Sequence, residues 1–472
     1  MRASWLLGGL VAAGALLAVT ERPAEACGGC FTAPPPPPPS PRPPSVVTDH
    51  RMIVSVSQGQ TTLYDELRYS GSPESFAWVL PISGTAKIGV SSDGVFSTLD
   101  AMTALTVVPP PQNCPPYPTG CSSGFSDEAS PSAGSAADAG VSVTAQQTVG
   151  PYETVQLHAS DGSSLNDWLT QHGYAIPEDI KGVVAQYVNE HFDFLALKLV
   201  PGQGVQAMRP VRVTTTGPSA VLPLRMVAAG TGANVGIVLW VVAEGRYEPQ
   251  NFPFFQIKAE ELEWDWTTYS SNLASLRLEK EATLGGRGWE HESSVSTQRS
   301  QLDTYLRNGF CPPYNGGGGY RGCQGAQNDY EAEDAGQDGG GGRSKQELQD
   351  EDLGVLLAGI PGDVRVTRVR AALSHASLDR DLVLQASADQ SVLSPVRQVT
   401  REKNQPICTV YQGCDNVGSA PRDEAIARSG QTSESFSCAV KRRATRNRDA
   451  LLTLGGFAAL ALVAAKRLRK KR

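Results

Sequence analysis

Alternating apolar and polar positions begin at Ser45 and predict strands. Met52-Ile53-Val54-Ser55-Val56 and residues 61–69 are β-branched or aromatic runs separated by Gln58-Gly59-Gln60, the pattern of a hairpin. Residues 75–82 (SFAWVLPI) give a third strand, closed by Pro81. Residues 94–105 change period, with Val95, Leu99, Met102 and Leu105 near helical spacing. Thr154-Val155-Gln156-Leu157-His158 is strand-like. Ser164 caps a helix carrying Leu165, Trp168 and Leu169 that ends at Gly173. Pro177 suits a first helical turn, and Val183, Val184, Tyr187 and Val188 give the following helix its apolar face. Residues 192–200, 211–215, 221–228 and 235–243 predict further strands.

Hairpins mixed with a helical pair predict an α+β class: a mainly antiparallel β ectodomain with a few helices, disordered insertions and one C-terminal transmembrane helix. The α+β domain is placed at 45–266, interrupted by a flexible Pro/Ser/Gly/Ala insertion at 109–140. Residues 267–314 read as a polar, helix-compatible segment. Residues 315–352 form a Gly- and acid-rich tract with Glu331, Glu333 and Asp334, expected to be disordered. Residues 353–440 read as a small β segment, with strands near 364–371 and 382–385, followed by a stalk.

The ends of the chain predict its address. An apolar run at 5–19 leads to Ala24-Glu25-Ala26, which together read as a secretory signal over 1–26 with a small-x-small cleavage site. Nine prolines in residues 33–44 make a polyproline spacer behind the Cys27–Cys30 motif, so 27–44 is read as motif plus spacer. Residues 450–465 are uncharged and, with Lys466, predict a membrane helix at 450–466. A basic end at 467–472 then lies on the cytoplasmic side. The net charge of −7 hides +10 over residues 441–472, which leaves −17 over residues 27–440. An ectodomain so acidic repels nucleic acid and suits a cation, a basic envelope protein or a wall component; the membrane is the partner of the C-terminal helix.

Six of the nine cysteines fall into local pairs: Cys114 with Cys121, Cys311 with Cys323, and Cys408 with Cys414. Each first cysteine is followed by a tyrosine three residues on, and a glycine precedes each second one. In an oxidising compartment such pairs predict short disulfide loops, each stabilising by roughly 2–3 kcal/mol. No histidine lies within four residues of any cysteine, which argues against zinc. Cys27 and Cys30 read as a structural pair or a bridge into the domain. The alternatives are a redox dithiol, which needs a helix N-terminus rather than a proline spacer behind it, and lipidation of Cys27, against which Glu21, Arg22 and Glu25 argue. Cys438 is left over.

Nucleotide-, zinc-protease- and serine-hydrolase motifs are absent from the sequence, and no catalytic, metal-binding or cofactor-binding residue is assigned. Gly230-Thr231-Gly232-Ala233-Asn234-Val235-Gly236 reads as a hairpin turn between strands rather than a dinucleotide loop. Asp379 and Asp381 are weighed as cation ligands but read as solvent-facing. Trp78, Trp240, Trp264 and Trp266 read as core anchors.

Five segments taken together resemble DUF2330, a family of uncharacterised bacterial proteins. They are Ala26-Cys27-Gly28-Gly29-Cys30-Phe31, Phe76-Ala77-Trp78-Val79-Leu80-Pro81, and Leu165-Asn166-Asp167-Trp168-Leu169 with Gly173-Tyr174. Phe192-Asp193-Phe194-Leu195-Ala196 and Met208-Arg209-Pro210 complete the set. The resemblance implies an exported or membrane-anchored envelope protein without an assigned activity. The leading expectation is a non-enzymatic binding or structural ectodomain on a single C-terminal span. The alternative is a thiol-disulfide oxidoreductase using Cys27 and Cys30, or another extracytoplasmic enzyme.

Overall fold

The computed structural model describes residues 30–32, 46–70, 76–84, 86–117, 147–158, 161–171, 178–200, 207–228, 231–311, 329–330, 342–412 and 415–430. The chain starts with strands β1 (Cys30–Thr32), β2 (Val46–Val56), β3 (Gln60–Ser70), β4 (Phe76–Ile82) and β5 (Lys87–Val90), then helix α1 (Asp93–Thr103). Next come β6 (Thr106–Val108), β7 (Gln147–Val149), β8 (Tyr152–Leu157), α2 (Gly162–Gln171), α3 (Glu178–Asn189), β9 (Asp193–Leu199) and β10 (Val211–Thr216). They are followed by β11 (Val221–Leu222), α4 (Leu224–Val227), β12 (Thr231–Ala243), β13 (Tyr247–Pro249), β14 (Phe254–Phe255), β15 (Glu263–Asp265) and β16 (Ser270–Ser271). The remainder is α5 (Leu273–Thr283), β17 (Trp289–Gln298), α6 (Arg299–Asn308), α7 (Lys345–Leu356), β18 (Asp363–Ser374), β19 (Leu382–Ala386), β20 (Val396–Gln398), β21 (Arg401–Lys403), β22 (Ile407–Gln412), β23 (Asp415–Pro421) and α8 (Arg422–Gly430).

The class is mixed, mostly strand, with antiparallel pairing dominant. One eight-stranded sheet runs β14-β17-β18-β12-β2-β3-β10-β5, and a five-stranded antiparallel sheet runs β1-β4-β9-β8-β7. Period-two alternation sorts side chains onto opposite faces of the large sheet. Ile53, Tyr64, Trp240, Val242 and Val366 point toward α1, α6 and α7, meeting Phe96, Leu99, Leu302 and Leu353. Met52, Val54, Ile237, Leu239 and Val369 occupy the other face beneath Leu222, Leu224 and Leu382. At the β10–β5 end of that face, Val211 and Val213 pack on Trp78, Leu80 and Leu197 of the five-stranded sheet. The far side of the smaller sheet buries Val79 and Phe194 against Leu165 of α2 and Val184 and Tyr187 of α3.

The chain divides into two compact units: Met1–Pro110 with Ser130–Asn404, and Pro111–Ala129 with Gln405–Arg472. This corrects several sequence boundaries. Segment 267–314 is not simply helical, because β17 crosses it between α5 and α6. Its Glu290, His291, Glu292, Ser293 and Ser294 are all buried, so polar composition concealed a strand. Tract 315–352 contains most of α7, started by a capping box between Ser344 and Glu347. The "small β segment" supplies β18, which lies between β17 and β12 in the large sheet and so belongs with 45–266. The stalk expected up to residue 440 folds over 407–430 as the β22–β23 hairpin and α8.

Two local readings also change. The apolar run 221–228 breaks at Pro223, which precedes the short helix α4. In the glycine-rich segment expected as a hairpin turn, residues 231–236 are strand. They are the start of β12, where the ladder to β2 shifts between Thr231 and Gly236. Among the described residues no helix is long and apolar enough to cross a membrane. The expected signal 1–26, Cys27, the proline spacer at 33–44 and the span at 450–466 lie outside the described residues.

Candidate functional site

Side chains from five separate stretches meet at Asp352 of α7. This carboxylate is fully buried. Ser91 Oγ and Tyr330 Oη each donate to its Oδ2 at 2.6 Å, and Arg212 Nη1 donates to Oδ1 at 3.1 Å. Tyr64 Oη reaches its main-chain carbonyl at 3.3 Å. Burial raises the Asp352 carboxyl above the usual range, and the Arg212 charge opposes that shift. Burial, then the Asp352 charge, pushes the Tyr330 and Tyr64 hydroxyls upward, so both stay protonated as donors. Next to Tyr330, Asp329 bonds Ser92 Oγ and accepts from the Asp93 amide at 3.1 Å, which ties this pair to the N-terminus of α1.

Arg212 owes its position to a glycine. In the antiparallel register it stands between Tyr64 of β3 and Gly89 of β5. A Cβ on Gly89 would lie 2.3 Å from Arg212 Nη2, so only glycine lets the guanidinium cross the edge strand. Beyond it opens a cavity of about 180 Å³ between β5, β7 and the start of α7. Arg212, Arg343, Glu351 and Thr148 supply polar lining, and Ile88, Val90, Val149 and Leu348 the apolar part. Glu351 bridges the two cations, with Oε1 on Arg212 Nη2 and Oε2 on Arg343 Nη1.

A second charged array crosses the helix-facing side of the large sheet. Arg277 of α5 holds Glu290 and, at 2.7 Å, Glu292; Arg368 of β18 joins Glu292 to Asp100. The Arg368 and Arg51 guanidiniums lie 5.1 and 5.3 Å from the Trp240 ring centroid, and the indole donates to Thr103 Oγ1 at 2.8 Å. Every carboxylate in this ladder has an arginine partner, an arrangement that joins elements rather than poising a proton. A buried pair, His50 Nδ1 with Asp65 at 3.0 Å, has the composition of a catalytic dyad. The cavity beside Asp65 measures only about 10 Å³, room for about one water.

Of the cysteines singled out in the sequence, Cys114 and Cys408 are disulfide-bonded, but to each other, with Cα atoms 5.4 Å apart. The expected loops Cys114–Cys121 and Cys408–Cys414 are therefore corrected. Cys408 faces Ala420 in the hairpin, four residues before the closing pair Gln412–Asp415. With the two sulfurs bonded to each other, neither Cys114 nor Cys408 can also close the short loop expected for it. Cys408, 1% exposed, instead joins Val410, Ala420 and Ala425 in a small core that Cys114 packs against. Cys311 is also disulfide-bonded. Cys30 lies in β1, antiparallel to β4 with Cys30 opposite Trp78. Cys27, Cys121, Cys323 and Cys414 lie outside the described residues.

Asp379 is held by Arg287 at 2.8 Å and by Arg380; Asp381 accepts from Tyr187 and Arg225. Hydrogen bonds from Arg287 hold the Asp379 carboxyl well below the usual range. Both aspartates are thus bound by cationic side chains of the protein itself. Among the described residues, no group of three or more His, Cys, Asp and Glu side chains is placed to hold a metal ion. The Asp352 hub was not legible as a site in the sequence. Its one signal was Ser344 with Glu347, a capping box inside a tract otherwise read as disordered.

The layered sheets and arginine-bound carboxylates define a mixed, mostly antiparallel β protein. The chain belongs to the bacterial family DUF2330, "Uncharacterized protein conserved in bacteria", whose model matches residues 24–303, more than half of the chain. No curated protein matches its sequence. Among solved structures it is similar to the crystal structure of baculovirus P35 at 10% identity and a TM-score of 0.28, covering 73% of this chain and 98% of that one. At that score the likeness carries no argument about fold or function.

Proposed function

We propose that this chain is an exported bacterial envelope protein, anchored by residues 450–466, whose disulfide-stapled ectodomain binds or scaffolds rather than catalyses. The observation that carries the reading is the Cys114–Cys408 cross-link between segments 294 residues apart. Structural disulfides of this kind persist in oxidising compartments. The apolar run before Ala24-Glu25-Ala26 and the basic end after the apolar tail supply the two topological signals. The partners proposed are the membrane itself and an envelope protein, cation or wall component, while the acidity of residues 27–440 disfavours nucleic acid.

The oxidoreductase alternative calls for a Cys-x-x-Cys pair at a helix N-terminus. Cys30 begins an edge strand instead, which supports a structural role for the motif. Fractionation of cells producing the full chain, beside a chain ending at Arg448, tests the proposal. The full chain should sediment with membranes and be cut by protease added to spheroplasts, and the shortened chain should be released. A full chain recovered from the cytoplasm with reduced cysteines would sink the reading.

A further inference from the structure

We infer that the cavity beside Arg212 is a binding site for a small aliphatic carboxylate, and that Glu351 occupies its carboxylate position when no ligand is bound. This deepens the binding-ectodomain reading proposed above and rests on it. Three observations lead there.

The first is convergence. Two guanidiniums from distant elements, Arg212 of β10 and Arg343 just before α7, each give one nitrogen to one oxygen of the same carboxylate. Arginine forks select planar, two-oxygen anions in this way.

The second is preorganisation. The Arg212 side chain is 7% exposed, anchored from behind by buried Asp352, and threaded over Gly89. Such a cation does not reorganise when its partner changes. Glu351 and Arg343 are 44% and 46% exposed, so the bridging carboxylate can swing into water while Arg212 keeps its place.

The third is the lining. A cavity of about 180 Å³ holds more than one carboxylate group. Val149 and Leu348 supply apolar surface beside the arginines, while Ile88 and Val90 alternate with Gly89 and turn toward the Val211 and Val213 core. A ligand that places its carboxylate where Glu351 now sits would lay a short aliphatic tail against Val149 and Leu348. A short aliphatic acid has this shape, as does the C-terminal residue of a small peptide. Partly burying methylenes there favours longer tails by roughly threefold per methylene, below the roughly fourfold of full burial.

Glu351 is thus a built-in competitor, and its removal should tighten binding. Titration calorimetry on the purified full chain at constant ionic strength reads this directly, with butyrate, acetate and inorganic phosphate as probes. Glu351→Gln should bind butyrate about tenfold more tightly than the native protein, because the unoccupied state is no longer a minor population. Arg343→Gln should weaken butyrate about tenfold in either background, and acetate should bind roughly tenfold more weakly than butyrate. Both substitutions fall on half-exposed side chains, and circular dichroism checks the fold. The inference is overturned if Glu351→Gln binds butyrate no better than the native protein, if acetate equals butyrate, or if phosphate binds more tightly than either. Mislocalisation of the chain would defeat the export proposal and leave this titration standing; a failed titration would leave export standing.

Discussion

Acidification should weaken this fold through one histidine. His291 of β17 is fully buried, its ring edge-on to Phe254, and its Nδ1 accepts from Arg246 Nη2 at 3.2 Å. That bond assigns the proton to Nε2 and leaves no place for a second one. Burial, followed by the Arg246 charge, lowers the group from 6.5 to about 3, with Asp389 opposing. Below pH 6.5 the unfolded chain takes up a proton that the folded chain refuses, so stability falls with pH down to about 3. Between pH 7 and pH 5 the histidine alone costs about 2 kcal/mol. His291→Gln keeps an acceptor for Arg246 and removes the titration. Urea unfolding of both proteins at pH 7 and pH 5 isolates the effect, since other ionisable groups cancel in the difference. The native protein should lose about 2 kcal/mol more than the variant over that interval. Equal losses, within about 0.5 kcal/mol, would refute the assignment of His291 as a buried neutral group.

Neighbouring helices should answer glycine-to-alanine substitution with opposite signs. A Cβ on Gly162 would meet the Ala185 backbone at 2.7 Å, so Gly162→Ala should destabilise by about 1–3 kcal/mol in thermal unfolding. Gly182, with nothing within 4 Å, should gain about 0.5–1 kcal/mol as alanine. Tyr330→Phe deletes one of the hydroxyl donors to Asp352 and should cost about 1.5–3 kcal/mol by chemical denaturation. Among the described residues of the smaller unit the buried cluster is Cys408, Val410, Ala420 and Ala425, a small core for a hairpin and helix. Replacing Cys114 and Cys408 by serine should therefore open residues 405–430 to protease while the larger unit stays resistant.

Much of the frame was legible because alternation and burial coincide. The β2–β3 hairpin followed from alternating residues such as Ile53 and Tyr64, and both of these are fully buried. The α2–α3 pair followed from Leu165, Val184 and Tyr187 at helical spacing. Strand β17 escaped because its buried Glu290 and Glu292 depend on Arg277 and Arg368, the latter more than 70 residues away. One clue to that pairing lay in Arg365, Arg368 and Arg370, cations in an otherwise strand-like run. Helix α7 was hidden by its acidic surroundings, although one of those acids, Asp352, is the hub of the buried network. The cysteine error has a related origin. Proximity in sequence favoured Cys408 with Cys414, but Cys408 is buried in a small core against which Cys114 packs.

Peptide mapping tests the proposed export most directly, through the Cys114–Cys408 cross-link on which that proposal rests. Full-length protein from the envelope fraction would be alkylated, digested without reduction and analysed by mass spectrometry. The account predicts a linked pair of peptides containing Cys114 and Cys408. Alkylated thiols at both positions, or Cys114 linked to Cys121 and Cys408 to Cys414, would contradict it.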